Sequence, residues 1–343
     1  MILTSLRPYD LSVANARQPV VASTVLAVLA TIMTLLRYAN RLVQKAAFGW
    51  DDFLILGALL SSYAELILYW CCVTLGGTGR HEADVGYPDI LLTLKLLVPF
   101  ELLYNLSMTC LKCGIIAFYF RLFGRDEMVK RYGKVIIWAT VIWGVASIIV
   151  IFLICRPFSY SWDTSQPGSC GNRNDMYIIN GIGNMLLDIA ILVLPLPTIW
   201  KLKLPTAQKV GLALIFSLGI FVAIISIIRI KELLAVDFED ITWSLPGGLE
   251  WTCLEESIAL INANLPFLRS IFKHMTPKAF SAQWASNQRS QRTNTRKTDK
   301  STGDDTEGTF SLVDKSASSQ YMELPDYGTG RSVYSQSGHS GHS

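Results

Sequence analysis

A row of polar side chains lies within the apolar stretch Ile178–Leu202. Asn180, Asn184 and Asp188 recur in it at intervals of four residues, and Pro195 follows near its end. At 100° per residue these four side chains fall within about 80° of one another on one face of a helix. A carboxylate in the middle of a membrane helix cannot face lipid without a cost of several kcal/mol. The stretch therefore predicts a helix that packs against other helices inside a membrane.

Two further stretches carry polar rows of the same kind. One runs from Glu101 to Lys112 and would lie within about 60° on a helix, and the other runs from Trp251 to Arg269. We expect the rows to converge on a shared ligand cavity, because ionisable groups in membranes pair with one another or line water. The alternative is that they join helices through buried hydrogen bonds. The candidate cavity residues are Glu65, Glu101, Asn105, Lys112, Asn184, Asp188, Trp251, Glu255 and Asn262.

Acidic side chains outnumber basic ones in this predicted interior. The surplus of negative charge can be met by carboxyl groups that hold protons, by a ligand that is cationic or donates hydrogen bonds, or by a pathway for protons or cations. The sequence has no internal repeat or pair of broken helices of the kind that is typical of transporters. The side chains considered are Glu65, Glu101, Asp188, Glu255 and Glu256 against Lys112 and Arg229.

Other motifs that could have chemical meaning favour a structural explanation. Cys110 and Cys113 form a CxxC pair inside an apolar stretch with no second pair nearby, so helix packing is favoured over zinc binding. The glycine-rich stretch Gly76–Asp89 lacks the Gly-Lys-Ser/Thr of a phosphate-binding loop. We expect no metal, no cofactor and no nucleic-acid partner, and no nucleophile motif supports an enzyme.

The elements that must position these residues are membrane helices. Of 343 residues, 51% are hydrophobic and 17% are charged, whereas a soluble domain has about 25% charged residues. Seven apolar runs are each near the roughly 20 residues that cross a bilayer as a helix. The sequence predicts an all-α, multi-pass integral membrane protein with a seven-transmembrane helix bundle. The predicted spans are Pro19–Leu36, Phe53–Leu75, Leu97–Phe120, Val135–Cys155, Ile178–Leu202, Gly211–Ile230 and Leu249–Phe272.

The distribution of lysine and arginine predicts the orientation of the bundle. The connections on one side, with the start of the C-terminal segment, carry fourteen of these residues, and those on the other side carry seven. Because such residues favour the cytoplasmic side, we expect the N-terminus outside and the C-terminus in the cytoplasm. The predicted domains are a short extracellular arm at 1–18, the membrane domain at 19–273 and a disordered, Ser/Thr-rich cytoplasmic tail at 274–343.

Two pairings follow from this orientation. Cys155 and Cys170 fall outside, where conditions are oxidising, so we expect a disulfide worth about 3 kcal/mol, with two free thiols as the alternative. Lys112 and Asp188 fall at depths that differ by roughly 6–7 Å at 1.5 Å per residue. A lysine stem spans that distance, and we expect the two side chains to form a buried ion pair.

An ordered set of short motifs runs through the predicted helices. The motifs are Asp51-Asp52, Lys112 with the later FYFRLF, Cys155-Arg-Pro…Trp162…Cys170, Asp188…Leu-Pro-Leu-Pro-x-x-Trp, Arg229, and Trp251…Glu255…Asn-Leu-Pro-Phe-Leu-Arg269. The set resembles the fungal rhodopsin-domain family, also called the SAT4 family, which includes the Pth11-like receptor-type proteins, and the resemblance covers about Val20–Phe272. It implies a seven-helix membrane protein that acts as a G-protein-coupled-receptor-like sensor of a small ligand or as an accessory protein of a secondary-metabolite gene cluster.

Two properties of better-known rhodopsin-like proteins are not expected here. A retinal Schiff base needs a lysine inside the last helix, and Leu249–Phe272 contains none, since Lys273 lies beyond its end. The third predicted helix does not end in Asp-Arg-Tyr, and the seventh lacks Asn-Pro-x-x-Tyr. A G protein as cytoplasmic partner is therefore an analogy from topology.

Three functions fit these observations. The first is a receptor-like sensor in the plasma membrane or an endomembrane, with the lipid bilayer, a small ligand and a signalling protein as partners. The second is a membrane protein of a secondary-metabolite pathway, such as polyketide or terpenoid mycotoxin biosynthesis, including an enzyme that uses a carboxyl group as general acid. The third is a transporter of the product of that pathway.

Overall fold

The computed structural model describes residues 8–124, 126–163, 165–201, 206–237 and 240–275. The first seven residues of the predicted arm and the predicted tail from residue 276 onwards lie outside this part of the chain. The helices are α1 (Ala14–Val43), α2 (Trp50–Thr74), α3 (Tyr87–Leu122), α4 (Glu127–Leu153), α5 (Arg173–Val193), α6 (Leu196–Lys201), α7 (Thr206–Leu234) and α8 (Ile241–Met275). Two short strands, β1 (Cys155–Arg156) and β2 (Ser169–Cys170), pair antiparallel between α4 and α5.

Side-chain caps mark where several helices begin. Asp126 accepts a hydrogen bond from the backbone N–H two residues on, at 2.9 Å, where α4 starts. Asn172 does the same at 3.0 Å where α5 starts, and the Asp52 carboxylate accepts from the N–H of Gly49 at 3.1 Å where α2 starts. Such caps satisfy N–H groups that have no partner within the helix.

The seven long helices of the described residues form a closed ring. Each packs against the next in chain order, α7 packs on α5, and α8 returns to α1 to close the ring. α3 also contacts α5 and α8 across the ring, which places its side chains in the interior. The central hydrophobic core contains Ile55 from α2, Tyr104 and Met108 from α3, and Leu260 from α8.

The outer surface of the bundle is apolar. On α4, Val135, Trp138 and Ile142 share one face and are between 62% and 67% exposed, as expected of a stripe that faces lipid. Five helical segments of the described residues are long and apolar enough to cross a membrane, namely α1 to α4 and Arg173–Thr198. The chain is a multi-pass membrane protein, which confirms this prediction from the sequence.

Several helices extend past the predicted apolar runs. α1 begins at Ala14 rather than Pro19, and α8 begins at Ile241 rather than Leu249. α7 continues to Leu234, so Arg229 lies inside a helix and is 4% exposed, not in an outer connection. An apolar run shows which part of a helix lies in lipid, and the helix itself can continue beyond the lipid. Without Arg229, the connections on the predicted outer side contain fewer lysine and arginine residues, which increases the predicted difference between the two sides.

The predicted fifth span is a helix with an interruption. α5 begins at Arg173, five residues before the predicted start, and ends at Val193. The short α6 follows from Leu196. Pro195 lies between them, and proline has no N–H to donate to the preceding turn.

Candidate ligand-binding site

Glu255 of α8 is the centre of a buried polar network. Its Oε2 accepts hydrogen bonds from Nη1 of Arg229 at 2.5 Å and from the Tyr104 hydroxyl at 3.0 Å. Its Oε1 accepts from the Ser226 hydroxyl and, at 3.4 Å, from Nδ2 of Asn184. Glu255 is 0% exposed, and this set of donors matches the charge and the hydrogen-bonding capacity of its carboxylate.

Lys112 extends the network from α3 to α5. Its Nζ donates to the backbone oxygen of Asn184 at 2.8 Å and to the side-chain oxygen of the same residue at 2.5 Å. The ammonium also lies 3.0 Å from Oδ1 of Asp188. The structure therefore contains the ion pair that the sequence predicts, with Asn184 as an additional partner.

Helical periodicity explains how each element supplies its part of the network. Asn184 and Asp188 are four residues apart on α5, Ser226 and Arg229 are three apart on α7, and Tyr104 and Lys112 lie two turns apart on α3. Sequence reasoning missed Tyr104 and Ser226, since neither residue type stands out in an apolar helix. We call the following residues the polar layer: Tyr104, Lys112, Asn184, Asp188, Ser226, Arg229 and Glu255.

A cavity of about 510 Å³ lies on one side of the polar layer. It is lined by α3, α4, α5, α7 and α8, and it extends to Gly171 and Asn172 beside the loop that contains β1 and β2. Tyr104 and Arg229 of the polar layer form part of its wall. The volume falls within the range of about 300–1,000 Å³ that is usual for small-molecule sites. We refer to it as the larger cavity.

Polar groups are few in the larger cavity. The Tyr177 hydroxyl donates to Oε1 of Glu101 at 2.9 Å, and the Ser147 hydroxyl donates to Oδ1 of Asn180 at 3.0 Å. The indole Nε1 of Trp143 is buried and has no hydrogen-bond partner among the described residues. Glycine at position 183 allows this indole to approach α5, because a Cβ there would lie 2.0 Å from the ring.

A second, smaller cavity of about 100 Å³ is lined by Lys112, Asp188 and Asn262 of the polar rows, and by Arg37 of α1. Oδ2 of Asp188 and Oδ1 of Asn262 have no hydrogen-bond partner within the described chain. Because a water molecule occupies about 30 Å³ of liquid volume, the smaller cavity has room for a few waters that would satisfy these two oxygens.

The sequence model of the fungal rhodopsin domain family matches residues 36–274 of this chain. The chain belongs to the fungal rhodopsin domain family. This confirms the family that the motifs predict, and the matched range contains every residue of the polar layer. No solved structure matches the chain.

Named relatives of this fungal rhodopsin-domain protein come from several fungi. A SAT4 family membrane protein of Emericella nidulans is 27% identical over 67% of this chain and 56% of its own length. Fugralins biosynthesis cluster protein 2 of Gibberella zeae is 24% identical, with coverages of 72% and 63%. Receptor GIN3 of Arthrobotrys oligospora is 27% identical, with coverages of 73% and 62%. The fungal rhodopsin-domain chain thus spans 56% to 63% of the length of these relatives.

The sequence predicts one shared cavity, whereas the structure distributes the candidate residues over two cavities and the polar layer. Glu101 and Asn105 line the larger cavity, whereas Lys112, Asp188 and Asn262 line the smaller one. Asn184 and Glu255 lie in the polar layer, and Glu65 and Trp251 line neither of the two cavities. Each row runs along its helix through the bundle, so Glu101 and Lys112, which lie roughly 16–17 Å apart along α3, reach different cavities.

Glu65, predicted to line the shared cavity, belongs to a separate pair of carboxyl groups. It lies beside Glu256 between α2 and α8, and both are 0% exposed. The Glu256 carboxyl group also lies beside the side chains of Ser62 and Ser107. The thiol of Cys253 lies 3.9 Å from Oε1 of Glu65. This carboxyl pair of the fungal rhodopsin domain is separate from the Glu255 network.

A cluster of charged residues joins α1, α2 and α3 at the far end of the bundle from the larger cavity. Arg37 lies 2.6 Å from Asp51 and 2.8 Å from Asp52, and Arg41 lies 2.7 Å from Asp51. Nη1 of Arg121, at the end of α3, lies 3.5 Å from Asp51. Since Arg37 also lines the smaller cavity, the cluster and the polar layer are adjacent.

Two contacts organise the end of the bundle that carries the larger cavity. Cys155 and Cys170 form a disulfide across β1 and β2. His81, in the loop between α2 and α3, lies 2.6 Å from Asp240 and stacks on Trp243 of α8. The hydrogen bond with the His81 ring holds the pKa of the Asp240 carboxyl below its usual value.

Proposed function

We propose that this protein is a seven-span, receptor-like sensor of a small ligand, with its N-terminus outside and its C-terminus in the cytoplasm. The closed ring of seven long helices supports seven spans, because its members pack as one unit. The excess of lysine and arginine in the connections on the side of the Arg37 cluster supports a cytoplasmic location for that end. The disulfide at the opposite end supports an oxidising exterior.

One observation carries the sensor proposal. The larger cavity is of ligand size, and its wall includes Tyr104 and Arg229 of the polar layer. A ligand that contacts these side chains changes their hydrogen bonds to Glu255. Because Asn184 donates to both Glu255 and Tyr104 and accepts from Lys112, the change reaches Lys112 and Asp188. A ligand shifts a protein between conformations to the extent that it interacts differently with them.

The same contacts lead toward the proposed cytoplasmic end. Lys112 and Asp188 line the smaller cavity together with Arg37, and Arg37 binds both aspartates at the start of α2. A rearrangement of these ion pairs would change the basic connections between the helices, which a G protein or another cytoplasmic partner would contact. The proposal includes no retinal, since Leu249–Phe272 contains no lysine.

The test is to fill the larger cavity without unfolding the bundle. Ala146 of α4 lines the cavity, and Ala146→Trp would occupy it, whereas Ala139→Trp adds the same side chain to an exposed position on α4. A strain without the protein would be complemented with the natural chain or either variant, and its transcripts measured after exposure to a panel of extracellular extracts. We expect at least one response with the natural chain and Ala139→Trp that Ala146→Trp abolishes. Identical responses in all strains, including the uncomplemented one, would contradict a sensor.

A second candidate is a membrane protein of a secondary-metabolite pathway. The names of several relatives refer to biosynthesis clusters, among them those of fugralins, satratoxin and wortmanamides. The Glu101 carboxyl in the larger cavity would be the general acid of such an enzyme, or the cavity would hold the product during transport. Metabolite profiles of the same strains separate these functions, because loss of a pathway protein changes one family of metabolites and loss of a sensor changes transcripts first.

A further inference from the structure

We propose that the ligand of the larger cavity is a cationic amphiphile, an apolar molecule whose protonated amine binds the carboxylate of Glu101. This inference rests on the proposed function, because it names the chemical class that the same cavity would recognise.

The walls of the cavity select an apolar body. Leu97 and Phe100 of α3, Val150 and Ile151 of α4 and Leu249 of α8 face it. Burial of apolar ligand surface against such walls favours binding. The apolar surroundings also make an unmatched charge in the cavity costly, so the few charged side chains there determine which head group is accepted.

Glu101 lines the larger cavity without a basic side chain in direct contact among the described residues. It forms no ion pair with any residue that the structure describes, and its side chain receives a hydrogen bond from the neutral hydroxyl of Tyr177 on Oε1. The nearby cations are engaged elsewhere. Arg229 binds Glu255, and Arg173 donates to the backbone oxygen of Ser161. A protonated amine beside Oε2 would supply the missing positive charge.

Two further groups fit a molecule of this kind. Asp175, exposed in the first turn of α5, also lines the cavity, and its carboxylate attracts a cation toward the opening. The unpartnered Nε1–H of Trp143 can donate to one acceptor on the apolar body. An anionic ligand would instead bring its charge next to Glu101 and Asp175, while Arg229 is already neutralised by Glu255.

The experiment uses the full chain in lipid nanodiscs and three probes that share one ring system. These are 2-(1-naphthyl)ethylamine, 2-(1-naphthyl)ethanol and 1-naphthylacetate, and their affinities are measured at pH 7, where an alkylamine is protonated. We expect the amine to bind about tenfold or more tightly than the alcohol, as for a hydrogen bond between charged groups, and the carboxylate to bind most weakly. Glu101→Gln is expected to remove the preference for the amine while retaining binding of the alcohol.

The control is Glu250→Gln, which changes a carboxyl group of α8 that lines neither cavity, and it should preserve the preference. Equal affinity for amine and alcohol in the natural chain, a preference that persists in Glu101→Gln, or no binding of the amine would each overturn the inference. Ala146→Trp distinguishes an error in the ligand class from an error in the proposed function. If it abolishes binding of a probe other than the amine, the cavity is a ligand site with another selectivity.

Discussion

At the scale of the residue, the buried charges of the polar layer are matched in kind and number. Arg229 neutralises Glu255, and Lys112 neutralises Asp188. Removing one partner of such a pair leaves the other charge buried and unpaired, which typically costs about 3–5 kcal/mol. Each pair is therefore a constraint on the relative positions of two helices, α7 with α8 and α3 with α5.

We predict that Lys112→Met and Asp188→Leu each lower the amount of folded protein in the membrane, and that the double substitution recovers much of the loss. The physical reason is that each single change leaves one buried charge without its partner, which lowers the free energy of unfolding by about 3–5 kcal/mol. The double change leaves no unpaired charge. Size-exclusion chromatography of fluorescent fusions and thermal unfolding of the purified variants measure the effect.

The matched control is the exposed pair of Lys130 and Glu127 on α4, whose charged atoms are also 3.0 Å apart. Substitution of Lys130 by Met or of Glu127 by Gln should change stability by less than about 1 kcal/mol, because exposed pairs contribute little. If the Lys112–Asp188 double variant is as poorly folded as the two single losses added, the pairing does not stabilise the fold. Asp188 would then be a candidate ligand-binding carboxylate.

At the scale of the element, the loop between α4 and α5 is closed by the Cys155–Cys170 disulfide. We predict that Cys155→Ser and Cys170→Ser each destabilise the protein by about 3 kcal/mol, as loop-closure entropy implies for a loop of this length. The double variant should be no less stable than either single variant, since one bond is lost in all three. Thermal unfolding gives the comparison. Mass spectrometry that finds both thiols alkylated without prior reduction would contradict the disulfide.

The loop between α2 and α3 is attached to the start of α8 through His81 and Asp240. Because the pKa of Asp240 is lowered in the folded protein, this contact favours folding above the ordinary aspartate pKa of about 3.9 and is lost as the pH falls through the lowered value. We predict that protection of residues 76–89 against hydrogen exchange is retained from neutral pH down to about pH 4 and decreases below it.

His81→Ala should lower the protection of residues 76–89 already at neutral pH and weaken its dependence on pH, because Asp240 then keeps only the N–H of Glu82 as a partner from this loop. Asp163 offers an internal control, because hydrogen bonds from Ser165 and Gln166 lower its pKa within its own loop. Exchange around Asp163 should not respond to His81→Ala. Identical pH profiles for residues 76–89 in the natural chain and the variant would show that His81 does not hold this loop.

At the scale of the whole molecule, we predict that a cleavable tag before Met1 is cut by external protease in intact cells and that one after Ser343 is protected. The reason is the concentration of lysine and arginine in the connections on one side. Permeabilised cells, in which both tags should be cut, give the control. Protection of the first tag and cleavage of the second would reverse the proposed orientation.

The sequence by itself determined much of this molecule. The length and number of its apolar runs predicted a helical membrane protein, because a bilayer admits few other structures for such segments. The cost of a charge in lipid predicted that Lys112 and Asp188 face the interior. Their depths, from 1.5 Å per residue, then predicted their contact. The face and the depth of a residue depend on one helix at a time, and those two properties can be read from the sequence.

Only the tertiary structure decided how the polar rows are divided. The order, tilt and depth of the helices around the ring determine that Glu255 contacts Arg229, Tyr104 and Ser226. They also place Glu65 beside Glu256. Glu101 and Asp188 line different cavities for the same reason. Periodicity gives the face of a helix on which a residue lies, but not the helix that this face meets. Choice of partner is a property of the packed bundle.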